Sequence, residues 1–135
     1  MSAKAFFDTN VLIYAFAQND PRSEAAEALL AAGGLVSVQI LNEFVAVAVR
    51  KLSMPWDDVL EALAAIRTLC PAPVPLTVDT HESALRIAQQ FGYRIYDSLV
   101  VAAALEAGCD TLYSEDMQHA QVIEALTIRN PFKHG

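Results

Sequence analysis

Short unbroken apolar runs alternate along this chain with stretches in which apolar residues recur every three to four positions. Ala3–Phe7 is such a run, closed by Asp8, and predicts a buried strand. Thr9–Ala17 follows as a short helix. At Asp20-Pro21 a capping residue precedes a proline suited to a first helical position. The helix it opens carries Ala25, Ala26, Leu29 and Leu30 on one face and stops at Gly33-Gly34. Leu35–Val38 predicts a second strand. Gln39–Leu52 predicts an apolar helix with Arg50 and Lys51 in its last turn, where the helix dipole favours cations. Beyond Pro55, the residues Trp56, Val59, Leu60, Leu63 and Ile66 fall at helical spacing. Pro71, Pro73 and Pro75 lead into an extended piece near Leu76–Val78. Asp79 with Glu82 resembles a capping box, for a helix that Gly92 ends. Asp97 opens a helix over Ser98–Ala107, closed by Gly108. Thr111–Tyr113 predicts a strand, Gln118–Leu126 a helix, and Thr127–Arg129 a last short strand.

Strands alternating with helices predict an α/β fold, a mainly parallel sheet covered by helices. Right-handed crossovers bring the C-terminal ends of the strands to one edge, where such folds place their ligand sites. No repeat or linker divides the chain, so residues 1–135 are expected to form one domain, with 131–135 as a loose tail. A chain this long buries roughly two-thirds of the surface its unfolded form exposes, enough for a core without staples. Apolar residues make up 54% and charged residues 19%, against a usual charged share of about 25%. That excludes a disordered chain and points to some apolar surface being covered by a partner. The longest charge-free stretch, Ala28–Asn42, is too short and too polar to span a membrane. Met1–Asp8 shows no apolar leader followed by a small-residue cleavage site. Cys70 and Cys109 form no CxxC pair and are expected as buried thiols in a cytoplasmic protein. The formal net charge is −7, which argues against nucleic-acid binding if the charge is spread evenly. It argues nothing of the kind if the acids are gathered at one metal-holding site.

Four acids sit in apolar company. Asp8 ends Ala5-Phe6-Phe7, and Glu43 interrupts Ile40–Val45. Asp97 precedes Ser98–Ala104, and Asp116 follows Thr111–Ser114. Burying a carboxylate is costly unless it is paired or binds a metal. Each of the four also falls near a strand's C-terminal end or early in a helix, positions that converge in a parallel α/β fold. Helix capping by Asp8, Asp97 or Asp116, and a solvent-exposed Glu43, are the plain alternatives, and a capping carboxylate still has an oxygen to offer a metal. No lysine or arginine lies within three residues of Asp8, Glu43 or Asp116, and only Arg94 does so for Asp97. A divalent cation would neutralise the set. Mg²⁺ is held by a few carboxylates plus waters, and two such ions suit displacement at phosphorus.

The residues Asp8–Ala15, Asn42-Glu43-Phe44, Tyr96–Leu99 and Tyr113–His119, with the ending Asn130-Pro131-Phe132, resemble a PIN domain of the VapC toxin type. The likeness spans nearly the whole chain and rests on the order and spacing of the four segments. It implies a three-layer α/β/α sandwich and a Mg²⁺- or Mn²⁺-dependent endoribonuclease acting on an RNA substrate. It also implies a homodimer blocked by a cognate, basic VapB-type antitoxin. Carried over by position, the catalytic and metal-binding acids would be Asp8, Glu43, Asp97 and Asp116, with Thr9, Asn10 and Ser114 as polar supports. Met117 stands where many relatives carry Phe or Leu, a departure that touches local packing.

Other chemistries fit less well. The chain has no GxGxxG, P-loop or GxSxG. His81, His119 and His134 raise metal-free acid–base cleavage as an alternative, with His119 placed to orient substrate near Asp116. Arg50, Lys51, Arg86 and Arg94 are candidates for phosphate contact; otherwise they are solvated surface. A non-catalytic PIN-like binding module is the runner-up function, and the full set of four acids argues against it.

Overall fold

The computed structural model describes residues 4–132. Met1, Ser2 and Ala3, the first residue of the expected opening strand, lie outside it, as do residues 133–135 of the expected tail, His134 among them. In chain order the elements are β1 (Ala5–Phe7), α1 (Thr9–Phe16), α2 (Ser23–Ala31), α3 (Val38–Arg50), α4 (Trp56–Leu69), α5 (Val78–Phe91), α6 (Ile95–Glu106), β2 (Thr111–Tyr113), β3 (Val122–Ile123) and β4 (Leu126–Arg129). The sheet order is β1-β2-β4-β3. β1, β2 and β4 run parallel, and β3 returns antiparallel to β4. Phe6 also bridges Leu35, and Ser37 bridges Val74, both in parallel. These two contacts prolong the sheet beyond β1 by single residues rather than by strands.

Successive strand residues point to opposite faces. Phe6 and Phe7 are both fully buried, so both faces of the sheet are covered and the fold has three layers. Helices α1 to α4 pack on one another, and α5 packs on α6. Seven consecutive residues of α6, Ser98 to Ala104, are buried, as expected of a helix with no polar face. The result is an α/β fold of six helices and a mostly parallel sheet. Among the described residues no helix is long and apolar enough to cross a membrane.

The structure corrects several sequence expectations. Leu35–Val38 is not a strand: only Leu35 and Ser37 bridge, and α3 already begins at Val38, capped by the Ser37 hydroxyl. The extended piece lies at Val74 rather than Leu76–Val78, because Val78 starts α5. The capping box of α5 is Thr77 with Thr80, not Asp79 with Glu82. Asp20-Pro21 forms a turn ahead of α2, with the Asp20 carboxylate accepting from the Arg22 backbone N–H at 2.8 Å. Gln118–Leu126 is not a helix. Ala120 and Glu124 take left-handed conformations, φ 69° and 54°, and a tight hairpin pairs Ile123 with Leu126. Short apolar runs such as this one fit either period, and the turn decides.

Gly34 shows how closely this edge is packed. A Cβ there would lie 2.7 Å from the Phe7 ring and 2.8 Å from the Ala5 carbonyl. Gly34→Ala should therefore destabilise by about 1–3 kcal/mol, as overpacking does, read by denaturant unfolding. Gly92→Ala meets no atom within 4 Å and should show only the cost of a left-handed φ of 77°.

Candidate active site

Parallel pairing sets Phe7 opposite Tyr113, so the chain leaves β1 and β2 at the same edge. Asp8 follows β1 directly, and its backbone N–H donates to the Tyr113 carbonyl at 3.0 Å. The Asp8 side chain is buried, 4% exposed. One carboxylate oxygen accepts from the Thr9 backbone N–H at 2.8 Å and caps α1; the other accepts from the Ser114 hydroxyl at 2.6 Å. The Asp116 backbone N–H in turn donates to the Ser114 hydroxyl at 3.2 Å.

Thr9 and Asn10 extend this pattern. The Thr9 hydroxyl donates to Glu43 Oε2 at 2.8 Å. Asn10 Nδ2 donates to Asp116 Oδ2 at 3.1 Å, and its Oδ1 accepts from the Glu115 N–H at 3.2 Å. Three consecutive residues thus reach β2's exit loop and the middle of α3. Glu43 receives a second bond from Gln39 Nε2 at 2.8 Å, and the same nitrogen donates to the Tyr96 carbonyl at 3.1 Å. That amide joins α3 to the first turn of α6, beside Asp97. Asp97 lies inside the first turn of α6, whose N-cap is Arg94, so the helix starts before Asp97 rather than at it.

The charges report on one another. Burial pushes the Asp8 carboxyl up to about 6 from an ordinary 3.8, against the pull of Ser114 and the Thr9 N–H, and the negative charges of Asp116 and Asp97 push the same way. Asp97 is also raised, by burial first, then by Asp116 and Glu43, while Arg94 opposes. The ion pairs among the described residues are Arg22 with Asp20 and with Glu115; none involves the four acids. The four carboxylates therefore share one field without a bonded cation. No group of three or more His, Cys, Asp or Glu side chains among the described residues closes to a ready metal shell. Hydroxyl and amide donors hold Asp8, Glu43 and Asp116 in their present positions. The donor set itself suits a hard divalent ion. It is all oxygen, without a bonded cation and mutually repulsive, and Mg²⁺ keeps several waters rather than demanding a closed protein cage.

Of the expected phosphate contacts, Arg50 and Lys51 line a cleft of about 510 Å³ together with Thr9, Asn10, Glu43 and Asp116. Arg94 adjoins Asp97. Arg86 lines a separate hollow on α5 and α6. His119 is tied into the fold, its Nδ1 accepting from the Asn130 N–H at 2.9 Å, and His81 lies on α5. Sequence reasoning missed Gln39, although it lies one helical turn before Glu43. It also missed the cluster beside Asp116, which no local signal marks. There Arg22 lies 3.7 Å over the Tyr14 ring and bonds the Tyr14 hydroxyl at 2.7 Å and Glu115 at 3.1 Å. Burial and Glu115 push the Tyr14 hydroxyl up to about 12. Phe132 sets its ring edge-on to Tyr14, centroids 5.1 Å apart.

The PIN domain family model matches residues 5–124. No curated protein sequence matches the chain significantly. Among solved structures, the chain is similar to Mycobacterium tuberculosis VapC20, a sarcin–ricin-loop-cleaving toxin, at 20% identity and TM-score 0.66 over 84% of this chain and 90% of that one. It is similar to a chain of a toxin–antitoxin complex from Klebsiella pneumoniae at 20% identity and TM-score 0.73, over 97% and 100%. A chain of Rickettsia felis VapBC2, bound to a DNA fragment from their promoter, matches at 17% identity and TM-score 0.67, over 93% and 97%. At such identities the likeness is one of fold.

The raised Asp8 carboxyl fixes the sign of a stability effect. The folded state keeps its proton up to about pH 6, whereas the unfolded chain loses it near 3.8. Stability should therefore fall as pH rises between those values, by about 3 kcal/mol at most. Asp8→Asn keeps a capping oxygen and removes the charge. Without divalent metal it should unfold at higher denaturant than the parent at pH 7, with the gap closing below pH 4. A less stable Asn variant at pH 7 would show that Asp8 is a net stabilising pair.

Proposed function

The chain belongs to the PIN domain family, and from that premise we propose that it is a metal-dependent endoribonuclease, the toxin of a cytoplasmic toxin–antitoxin pair. The observation that carries this reading is the convergence of Asp8, Glu43, Asp97 and Asp116 on one field with no cation bonded to any of them. In this reading those four acids hold Mg²⁺ or Mn²⁺. When bound, the metal supplies Lewis-acid charge and a water of lowered pKa for hydrolysis of a phosphodiester. The chain's own polar groups keep the acids in place. Ser114 and the Thr9 N–H fix Asp8, Thr9 and Gln39 fix Glu43, and Asn10 fixes Asp116. His119 Nδ1 accepts from the Asn130 backbone, which leaves only its Nε2, the protonated nitrogen of a neutral ring so bonded, to face a substrate.

The same field suits an inhibitor. Arginine pairs with carboxylates through two parallel bonds, so a basic VapB-type antitoxin could close the site with one side chain. A homodimer accounts for the apolar side chains that the fold leaves open. Trp56 and Leu60, one turn apart on α4, are 59% and 58% exposed, and large exposed apolar patches mark interfaces.

Cleavage of single-stranded RNA is expected to need Mg²⁺ or Mn²⁺, to stop with chelator, and to leave 5′-phosphate and 3′-hydroxyl ends. Asp97→Asn should abolish it without lowering the metal-free melting temperature. Cyclic 2′,3′-phosphate ends formed in excess chelator would sink the proposal. Light scattering at micromolar concentration should give a dimer, and Leu60→Glu a monomer.

A further inference from the structure

The cleft at the acids does not end there. It continues between α1 and α3 over an apolar floor that includes Ile13, Ala46 and Val47, and reaches Arg50 and Lys51. Glu43 and Arg50 are seven residues apart on α3, a rise of about 10 Å. They lie two turns apart on one helix face, one at each end of the cleft. Arg50 and Lys51 are exposed, and neither makes an ion pair among the described residues. The dipole at the end of α3 favours cations there, but it does not account for both lining the cleft. A chain of net charge −7 repels a polyanion over most of its surface, so two adjacent cations lining the same cleft as Glu43 and Asp116 are a local exception.

We infer that this cleft is a single-stranded RNA subsite in which Arg50 and Lys51 hold a phosphate next, or next but one, to the scissile bond. The apolar floor carries the intervening sugar or base. The inference rests on the ribonuclease reading and adds a direction to it: the strand leaves the acids along α3 toward its C-terminus. Backbone contacts of this kind position a strand without reading its sequence.

The test uses the full chain and a short labelled single-stranded oligoribonucleotide. Affinity is measured in chelator against salt, and cleavage with Mg²⁺. The double variant Arg50→Gln, Lys51→Gln should fold as the parent does, since both side chains are exposed. Arg50 and Lys51 share one phosphate, and a lost phosphate contact removes about 0.7 from the slope of log affinity against log salt, so the double variant should lose about 0.7. Its KM should rise more than its kcat falls. Arg67→Gln, an exposed cation on α4, should change neither. Neutral methylphosphonate linkages introduced one at a time should weaken parent binding at one position beside the cleaved bond, and that loss should vanish in the double variant. RNA cleavage by the parent with an unchanged slope in the double variant overturns the subsite alone. A parent that neither binds nor cleaves RNA overturns the ribonuclease reading and the subsite with it. A double variant that loses only inhibition by a protein partner marks the cleft as a protein-docking surface and also overturns the subsite.

Discussion

The site depends on burying one carboxylate, Asp8, at the edge of a parallel sheet. An ionised carboxylate taken out of water is costly unless donors meet it, and the fold meets it from two directions. The turn into α1 brings the Thr9 N–H, and the parallel register with β2 brings the Ser114 hydroxyl. Once Asp8 is fixed, the next two residues are fixed with it, and their side chains reach Glu43 and Asp116. Three consecutive positions therefore organise acids from three parts of the chain. The raised Asp8 carboxyl shows that these bonds do not fully offset burial and mutual repulsion.

Much of this was legible in the sequence because local chemistry and the global fold agree. The run Ala5–Phe7 and the breaker Gly92 place β1 and the end of α5 where they are found. The acids were visible because they interrupt apolar runs. What escaped was decided by long-range pairing. Leu35 and Ser37 carry apolar neighbours, yet they bridge singly because the Ser37 hydroxyl caps α3 at once. Val122 to Ile128 fits both a helix and a hairpin until the left-handed backbone at Glu124 is known. Gln39 could have been found from its spacing to Glu43. Arg22 could not, since its partner Glu115 lies 93 residues away.

The same separation governs when the site comes into being. Asp8 and Ser114 are 106 residues apart, as are Asn10 and Asp116. Every fragment that ends before β2 lacks the hydroxyl that steadies Asp8, the loop that carries Asp116 and the strand that aligns them. On the ribosome, synthesis proceeds from the N-terminus, so α1 through α6 emerge while the acids are still incomplete. The centre is thus assembled only after β2 and the loop that follows it have been made. Until residues 111–116 have been made, the helices surround an unfinished edge, and Asp8, Glu43 and Asp97 have no Asp116 to meet.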